Sequence, residues 1–105
     1  MKLTVKERIL IPEILPEKSN SIILKIMRKF KEELSFDAEE NRVLKFKYSG
    51  DQVTWEEVEN IVKDIQVSDL ITELLIKSLK QMDKDNELPE KYLSLFEKFV
   101  EGESN

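Results

Sequence analysis

Apolar residues recur every three or four positions along most of this chain, and that spacing predicts a mostly helical protein. The clearest stripe follows the polar run Ser19-Asn20-Ser21, and a longer one follows Ser68. Both leading segments offer side chains that cap helix N-termini. We predict one amphipathic helix carrying Ile22, Ile23, Ile26, Met27, Phe30 and Leu34, and another carrying Ile71, Leu74, Leu75, Leu79 and Met82.

Three further helices are predicted from start and stop signals. Thr4 and Glu7 have the spacing of a capping box, so a first helix begins near Val5. Pro12 removes a backbone bond within it and predicts a kink or a break before Leu15-Pro16 ends the element.

A short third helix over residues 38–42 is predicted after a cap at Ser35 or Asp37. Pro89 suits the first turn of a last helix, which Gly102 ends.

Strict alternation of apolar and polar residues predicts a β-hairpin in the middle of the chain. Lys45 and Lys47 alternate with large apolar residues up to the turn dipeptide Gly50-Asp51. A two-residue loop pairs Tyr48 with Val53 and Phe46 with Trp55, so the large apolar side chains share one face.

Residues 56–67 fit two patterns, a helix and a strand. We favour a helical turn leading into a short strand that joins the hairpin, because a lone hairpin is marginally stable. The predicted fold is α+β: one domain over residues 1–105, mostly helical, with a small antiparallel hairpin or three-stranded sheet.

The chain has no histidine and no cysteine. Imidazole proton transfer, thiolate chemistry, disulfides and Cys/His zinc sites are therefore excluded. The net charge of -5, from 22 acidic and 17 basic residues, makes general attraction to nucleic acid unfavourable.

Sequence features that direct proteins into or across membranes are also missing. No apolar run approaches the length of a membrane span, and the first residues lack the apolar core of a signal peptide. We expect a cytoplasmic protein.

Acidic clusters provide little evidence for catalysis or metal binding. Asp83, Asp85 and Glu87 alternate as in a calcium loop, but Leu88 occupies the position that requires glycine. No serine nucleophile motif and no glycine-rich phosphate loop is present. We expect no enzymatic activity, no cofactor and no metal.

Basic residues leave a nucleic-acid hypothesis open. Helices followed by a hairpin are typical of winged-helix proteins, and the candidate contacts would be Lys25, Arg28, Lys29, Lys45 and Lys47. The segment in the recognition position instead carries Asp37, Glu39 and Glu40, which phosphate repels. A second form of this hypothesis is an acidic mimic of DNA, since residues 51–73 hold seven acidic residues against one lysine.

Tyr48 and Trp55 are the candidate protein-interface residues, because aromatic side chains anchor interfaces. The register favours a different position for both, packed in the small core beside Phe46. If that face is exposed, it is the best protein-binding site in the chain.

Three segments resemble short proteins of unknown function encoded by bacteria and their phages or prophages: residues 3–8 with Leu15-Pro16, residues 53–55 and residues 93–99. The resemblance runs over nearly the whole chain and implies an accessory or regulatory role. Pro12 departs from the uninterrupted first helix expected of such proteins.

The sequence thus predicts a non-catalytic protein-interaction module that binds an unidentified protein or a second copy of itself. The alternative is a nucleic-acid-linked regulator, either a weak winged-helix binder or an acidic mimic.

Overall fold

Five α-helices and two pairs of short strands make up the fold seen in a computed structural model, which describes residues 1–58 and 61–102. The predicted α+β class is confirmed. In chain order the elements are β1 (Lys2–Thr4), α1 (Val5–Ile14), α2 (Ser21–Leu34), α3 (Ala38–Leu44), β2 (Lys47–Ser49), β3 (Gln52–Thr54), β4 (Val62–Asp64), α4 (Asp69–Lys84), a 3-10 turn (Glu90–Tyr92) and α5 (Leu93–Phe99).

The predicted caps begin the helices where expected. The Thr4 hydroxyl accepts from the Glu7 backbone N–H at 3.2 Å, and the Glu7 carboxylate accepts from the Thr4 N–H at 3.0 Å. The Asn20 side chain accepts from the Ile23 N–H at the start of α2, and the Ser68 hydroxyl accepts from the Ile71 N–H at the start of α4. Each cap satisfies a backbone donor that the helix leaves free, which fixes the start of the element.

Pro12 does not break α1, which continues to Ile14. The ring removes a single bond to the Arg8 carbonyl, and the buried side chains of Ile11 and Ile14 hold the turns on both sides of it. The helix ends at Leu15, whose N–H still donates to the Ile11 carbonyl at 3.3 Å.

A single apolar cluster forms the core between α1, α2, α4 and α5. Leu3, Ile11, Leu75, Leu79 and Leu95 are fully buried in it. Burial of a leucine-sized side chain stabilises a fold by about 1.5–3 kcal/mol, so the core is the main source of stability.

Glu7 ties α1 to α5 at the edge of this core. Its carboxylate is buried and accepts from the Lys98 ammonium at 2.6 Å and from the Ser94 hydroxyl at 3.1 Å. Lys98 also donates to the Lys2 carbonyl at 2.9 Å, which brings β1 to the same end of α5.

The predicted stripe of α2 is buried in its C-terminal half only. Met27, Phe30 and Leu34 lie in the core, whereas Ile22 is 71% exposed and Ile26 is 37% exposed. Ile22 is left largely in solvent, whereas Ile26 borders a depression that it shares with Ser68 and Ile71 at the start of α4.

The four strands form two separate antiparallel pairs, β1 with β4 and β2 with β3. Of the two predicted alternatives, the hairpin is confirmed and the three-stranded sheet is wrong. A strand does form near the predicted place, but without joining the hairpin. It pairs with residues 2–4, for which no strand was predicted, in the register Leu3 opposite Lys63. The N-terminal ammonium helps to fix this pairing by donating to Asp64 at 2.8 Å and to the Ile65 carbonyl at 3.0 Å.

The helical turn predicted before that strand is not seen in residues 56–58, and residues 59 and 60 lie outside the described part. The last helix was predicted to have Pro89 in its first turn; Pro89 instead precedes a 3-10 turn over Glu90–Tyr92, and α5 begins after that turn at Leu93. In the part of the chain that the structure describes, no helix combines the length and the apolar character needed to cross a bilayer.

Candidate protein-interaction site

The β2–β3 hairpin presents two chemically different faces. Gly50 adopts φ +60° in its turn, a conformation that glycine accepts without strain. Tyr48 lies opposite Val53 and Lys47 lies opposite Thr54, so the predicted register is confirmed. Since successive side chains point to opposite faces of a strand, Tyr48 and Val53 share one face and Lys47 and Thr54 the other.

The apolar face of the hairpin borders an open groove with a volume of about 240 Å³. We call this the hairpin groove, and it is lined by Ile9, Ser35, Phe36, Asn41, Phe46, Tyr48 and Val53. None of these side chains carries a charge. The groove therefore forms an uncharged cleft bordered by the hairpin, α1, α3 and the loop that joins α2 to α3.

Tyr48 is the most exposed aromatic side chain of this region. It is 78% exposed, whereas Phe46 and Val53 are half-buried. The prediction that Tyr48 packs in the core is wrong, because a two-stranded hairpin has only one neighbouring surface to cover its apolar face. The ring is left at the mouth of the groove with most of its surface in solvent.

Trp55 takes a different position from Tyr48. It is half-buried, and its ring centroid lies 6.2 Å from that of Phe46. It lines depressions outside the hairpin groove, one of which it shares with Lys45, Lys47 and Glu56. The structure therefore brings only one of the two predicted interface aromatics to the groove.

A chain of stacked rings positions the hairpin on the helices. Phe36 lies 4.9 Å from Phe46 between ring centroids, and Phe46 in turn meets Trp55. Tilted aromatic pairs at such distances stabilise by about 0.5–1.5 kcal/mol beyond area burial. Leu44, which is 1% exposed, accepts from the Glu56 N–H at 2.7 Å through its carbonyl and closes the base of the hairpin.

Buried Arg8 anchors this assembly from α1. Its guanidinium lies 4.0 Å from the centroid of the Phe36 ring and donates to the carbonyls of Leu34 and Ser35 at 3.1 and 2.6 Å. The same group forms a bidentate pair with the Glu40 carboxylate at 2.6 and 3.1 Å. Four hydrogen bonds from this buried cation thus join α1 to the end of α2 and to α3.

The Arg8 pair also fixes the charge state of Glu40. Its hydrogen bonds to the guanidinium hold the pKa of the Glu40 carboxyl below its ordinary value, against the opposing effect of partial burial. Glu40 simultaneously accepts from the Asp37 N–H at 3.0 Å and completes a capping box for α3. A single carboxylate therefore holds both the arginine and the start of α3.

Sequence reasoning missed Arg8, Phe36 and Ile9. A signal for Arg8 was present, because it follows Val5 by three residues and precedes Ile11 by three, which places a cation among core positions of α1. Phe36 and Ile9 carry no comparable signal, since a loop aromatic and one more apolar helix residue fit many environments.

The candidate nucleic-acid contacts fall into two groups. Lys25, Arg28 and Lys29 are exposed on α2, where spacings of three and four residues place them on one outer face. Lys45 and Lys47 lie together on the polar face of the hairpin, next to Glu56. Nothing in the described residues links the two groups into one surface.

The helix in the recognition position is α3, and its carboxylates are already paired. Glu39 pairs with Arg42, which lowers the pKa of the Glu39 carboxyl, and Glu40 pairs with Arg8. A seven-residue helix that presents carboxylates is a poor match to a phosphate backbone.

The alternating acids Asp83, Asp85 and Glu87, at the C-terminal end of α4 and just after it, do not form a metal site. Asp85 accepts from the Gln81 side-chain amide at 3.0 Å, and over residues 1–58 and 61–102 no three carboxylates lie close enough to hold a metal ion together.

Comparison of this chain with models of protein families, with curated proteins and with solved structures finds no match. The resemblance to bacterial and phage proteins stays a prediction.

Proposed function

We propose that this protein is a non-catalytic protein-interaction module that binds a protein partner through the hairpin groove. The observation that carries the proposal is Tyr48, which is 78% exposed at the mouth of an uncharged groove. Exposed tyrosines beside apolar pockets are typical anchors of protein interfaces, since the ring fits an apolar surface and the hydroxyl can still hydrogen-bond.

Preorganisation of the groove supports the proposal. Phe36 and Phe46 are held by ring stacking and by Arg8, so binding does not have to order them. Fixed interface side chains reduce the entropy lost on association, and this increases affinity for a given contact area.

The groove is small and would serve as the anchor point of a larger contact. A volume of about 240 Å³ accommodates one or two apolar side chains of a partner. Tyr48 and Val53 on the hairpin and Ile9 on α1 would surround such a side chain. The partner in the groove is either a different protein or a second copy of this chain. We further propose that the protein acts in the cytoplasm of a bacterium and that its gene is of phage or prophage origin.

The test is affinity capture of tagged protein from a bacterial lysate, repeated with Tyr48→Ala and after nuclease treatment. We expect one stoichiometric protein to be recovered with the parent chain, retained after nuclease and lost with Tyr48→Ala. The matched control is Leu93→Ala, because Leu93 is 48% exposed on α5 and does not line the groove.

Two results contradict the proposal. One is recovery that is equal for Tyr48→Ala and for the parent chain. The other is recovery that disappears with nuclease and with Lys25→Glu, Arg28→Glu and Lys29→Glu combined, which would favour the nucleic-acid alternative.

A further inference from the structure

A second groove lies between the end of α1, the loop that follows it and one flank of α4. Its volume is about 650 Å³, within the range of about 300–1,000 Å³ typical of ligand sites. Ile14, Pro16, Leu74 and Met82 give it an apolar lining. We call it the α4 groove, and it shares no lining residue with the hairpin groove.

One face of α4 forms a long wall of this groove. Its lining residues on that helix recur at helical spacing: Leu74, Lys77, Ser78, Gln81, Met82 and Asp85, the last at the C-cap. With a rise of 1.5 Å per residue, Lys77 and Asp85 are separated by about 12 Å along the helix axis. Ser78 and Gln81 lie between them and offer hydrogen-bonding groups.

The charges of the α4 groove are separated along this wall. Within residues 1–58 and 61–102, neither Lys77 nor Lys18 forms an ion pair. Asp85 accepts only from the neutral amide of Gln81 at 3.0 Å, and Glu87 lies beside it. The carbonyl end of α4 adds negative potential there.

The remaining carboxylate of the groove is already occupied. Glu13 accepts from the Tyr92 hydroxyl at 2.9 Å and from the Lys91 ammonium at 3.3 Å. Burial and the hydrogen bond to Glu13 raise the pKa of Tyr92 to about 12. Along the α4 wall, Lys77 and Asp85 are therefore two oppositely charged side chains that form no ion pair with the described residues.

We propose that the α4 groove binds a short apolar peptide with free termini, its carboxylate at Lys77 and its ammonium at Asp85. An extended chain spans about 3.3 Å per residue, so three or four residues cover the separation of about 12 Å. Apolar side chains of the peptide would rest on Met82 and Ile14, and its backbone would meet Ser78 and Gln81. This site is independent of the protein-binding surface on the hairpin.

The experiment titrates the full ¹⁵N-labelled chain with the tetrapeptide Ala-Leu-Leu-Ala and follows amide chemical shifts. We expect shifts confined to residues 13–19, 74–87 and 92. The N-acetylated and the C-amidated peptides should each bind about threefold to fivefold more weakly, which is the effect expected of one exposed ion pair.

Variants of the chain test which charged side chain binds which terminus of the peptide. Lys77→Gln should weaken the free peptide by the same factor and leave the C-amidated peptide unaffected, since that peptide has no carboxylate to lose. Lys80→Gln is the matched control, because Lys80 is exposed on the same helix and does not line the groove.

Three results overturn the proposal: no shifts in the groove residues at millimolar peptide, equal binding by either blocked peptide, or an equal effect of Lys77→Gln on the free and the C-amidated peptide. Urea unfolding of each variant, measured in parallel, distinguishes the loss of a contact with the peptide from the loss of the folded structure.

Discussion

The apolar stripe of α4 and the apolar face of the hairpin are equally regular in the sequence, yet the protein uses them differently. Ile71, Leu75 and Leu79 of α4 are at most 1% exposed, whereas Tyr48 on the hairpin is 78% exposed. The helix stripe is covered by α1, α2 and α5, while the hairpin has neighbours on one side only. Regular spacing therefore predicts an apolar face, and the number of elements around that face decides whether it becomes core or binding surface.

The largest expected effect is that of Arg8, which joins α1 to Phe36 and to α3 on the hairpin side of the molecule. Arg8→Met removes four hydrogen bonds and leaves the Glu40 carboxylate and two carbonyls without their partner. Breaking a buried ion pair in this way costs about 3–5 kcal/mol. Urea unfolding measures this change in the free energy of unfolding. A decrease of less than about 1 kcal/mol would show that Arg8 does not hold the hairpin side to the core.

Truncation within the core should cost nearly as much. Leu75→Ala removes a side chain that is 0% exposed, and we expect a loss of about 2–5 kcal/mol in the free energy of unfolding. The same urea series measures this change. If Leu75→Ala and Tyr48→Ala were equally destabilising, the contrast between the two regions would be wrong.

Acid should weaken the hairpin side through Glu40. Because its pKa is lower in the folded chain than its ordinary value of 4.5, ionised Glu40 contributes stability that is present above that value. This stability is lost as the pH falls through the lowered folded-state pKa. Glu40→Gln should be less stable than the parent chain at pH 7. Between about pH 5 and pH 3, the range around the ordinary pKa of a glutamate, it should lose less free energy of unfolding than the parent chain does. Equal acid sensitivity of the two chains would contradict the role of the Arg8–Glu40 pair.

Alkali should act on the other side of the molecule through Tyr92. Its folded-state pKa of about 12 exceeds the ordinary value of 10.0, so its stabilising contribution is complete below pH 10 and is lost as the pH rises toward 12. In a Tyr48→Phe variant Tyr92 is the only tyrosine of the chain, so the absorbance of tyrosinate reports the pKa of Tyr92 directly. Titration at the ordinary value would show that the Tyr92–Glu13 contact is not kept in solution.

The smallest expected effect on stability is that of Tyr48→Ala. An exposed side chain of this kind contributes within about 0.5 kcal/mol to folding, even though the same change removes the proposed binding anchor. Urea unfolding of Tyr48→Ala and Leu75→Ala under the same conditions compares the hairpin face with the α4 stripe directly. A loss above about 2 kcal/mol would place Tyr48 in the folding core and remove the observation behind the proposed function.

Local signals predicted much of the fold. Capping residues placed the starts of α1, α2 and α4, and the turn dipeptide with its alternating flanks placed the hairpin and its register. These features depend on contacts between residues close in sequence, where spacing alone determines the geometry.

Contacts distant in sequence could not be predicted in the same way. Pairing of β4 with β1 depends on residues about sixty positions apart, including the bond from the N-terminal ammonium to Asp64. The alternation of residues in the hairpin predicted that Tyr48 is a binding residue if its face is exposed. The position of Phe36 and Ile9 in the same groove depends on the packing of α1 and the α2–α3 loop, which the spacing of residues does not predict.

Photo-crosslinking from the mouth of the hairpin groove tests the central claim most directly. Tyr48 is replaced by a photoreactive phenylalanine analogue, with the same replacement at Leu93 as the control, and cells expressing each chain are irradiated. The account predicts one discrete protein adduct from position 48, at the mass of a partner or of a second copy of this chain, and none from position 93. No adduct from position 48, or the same adducts from both positions, would contradict it.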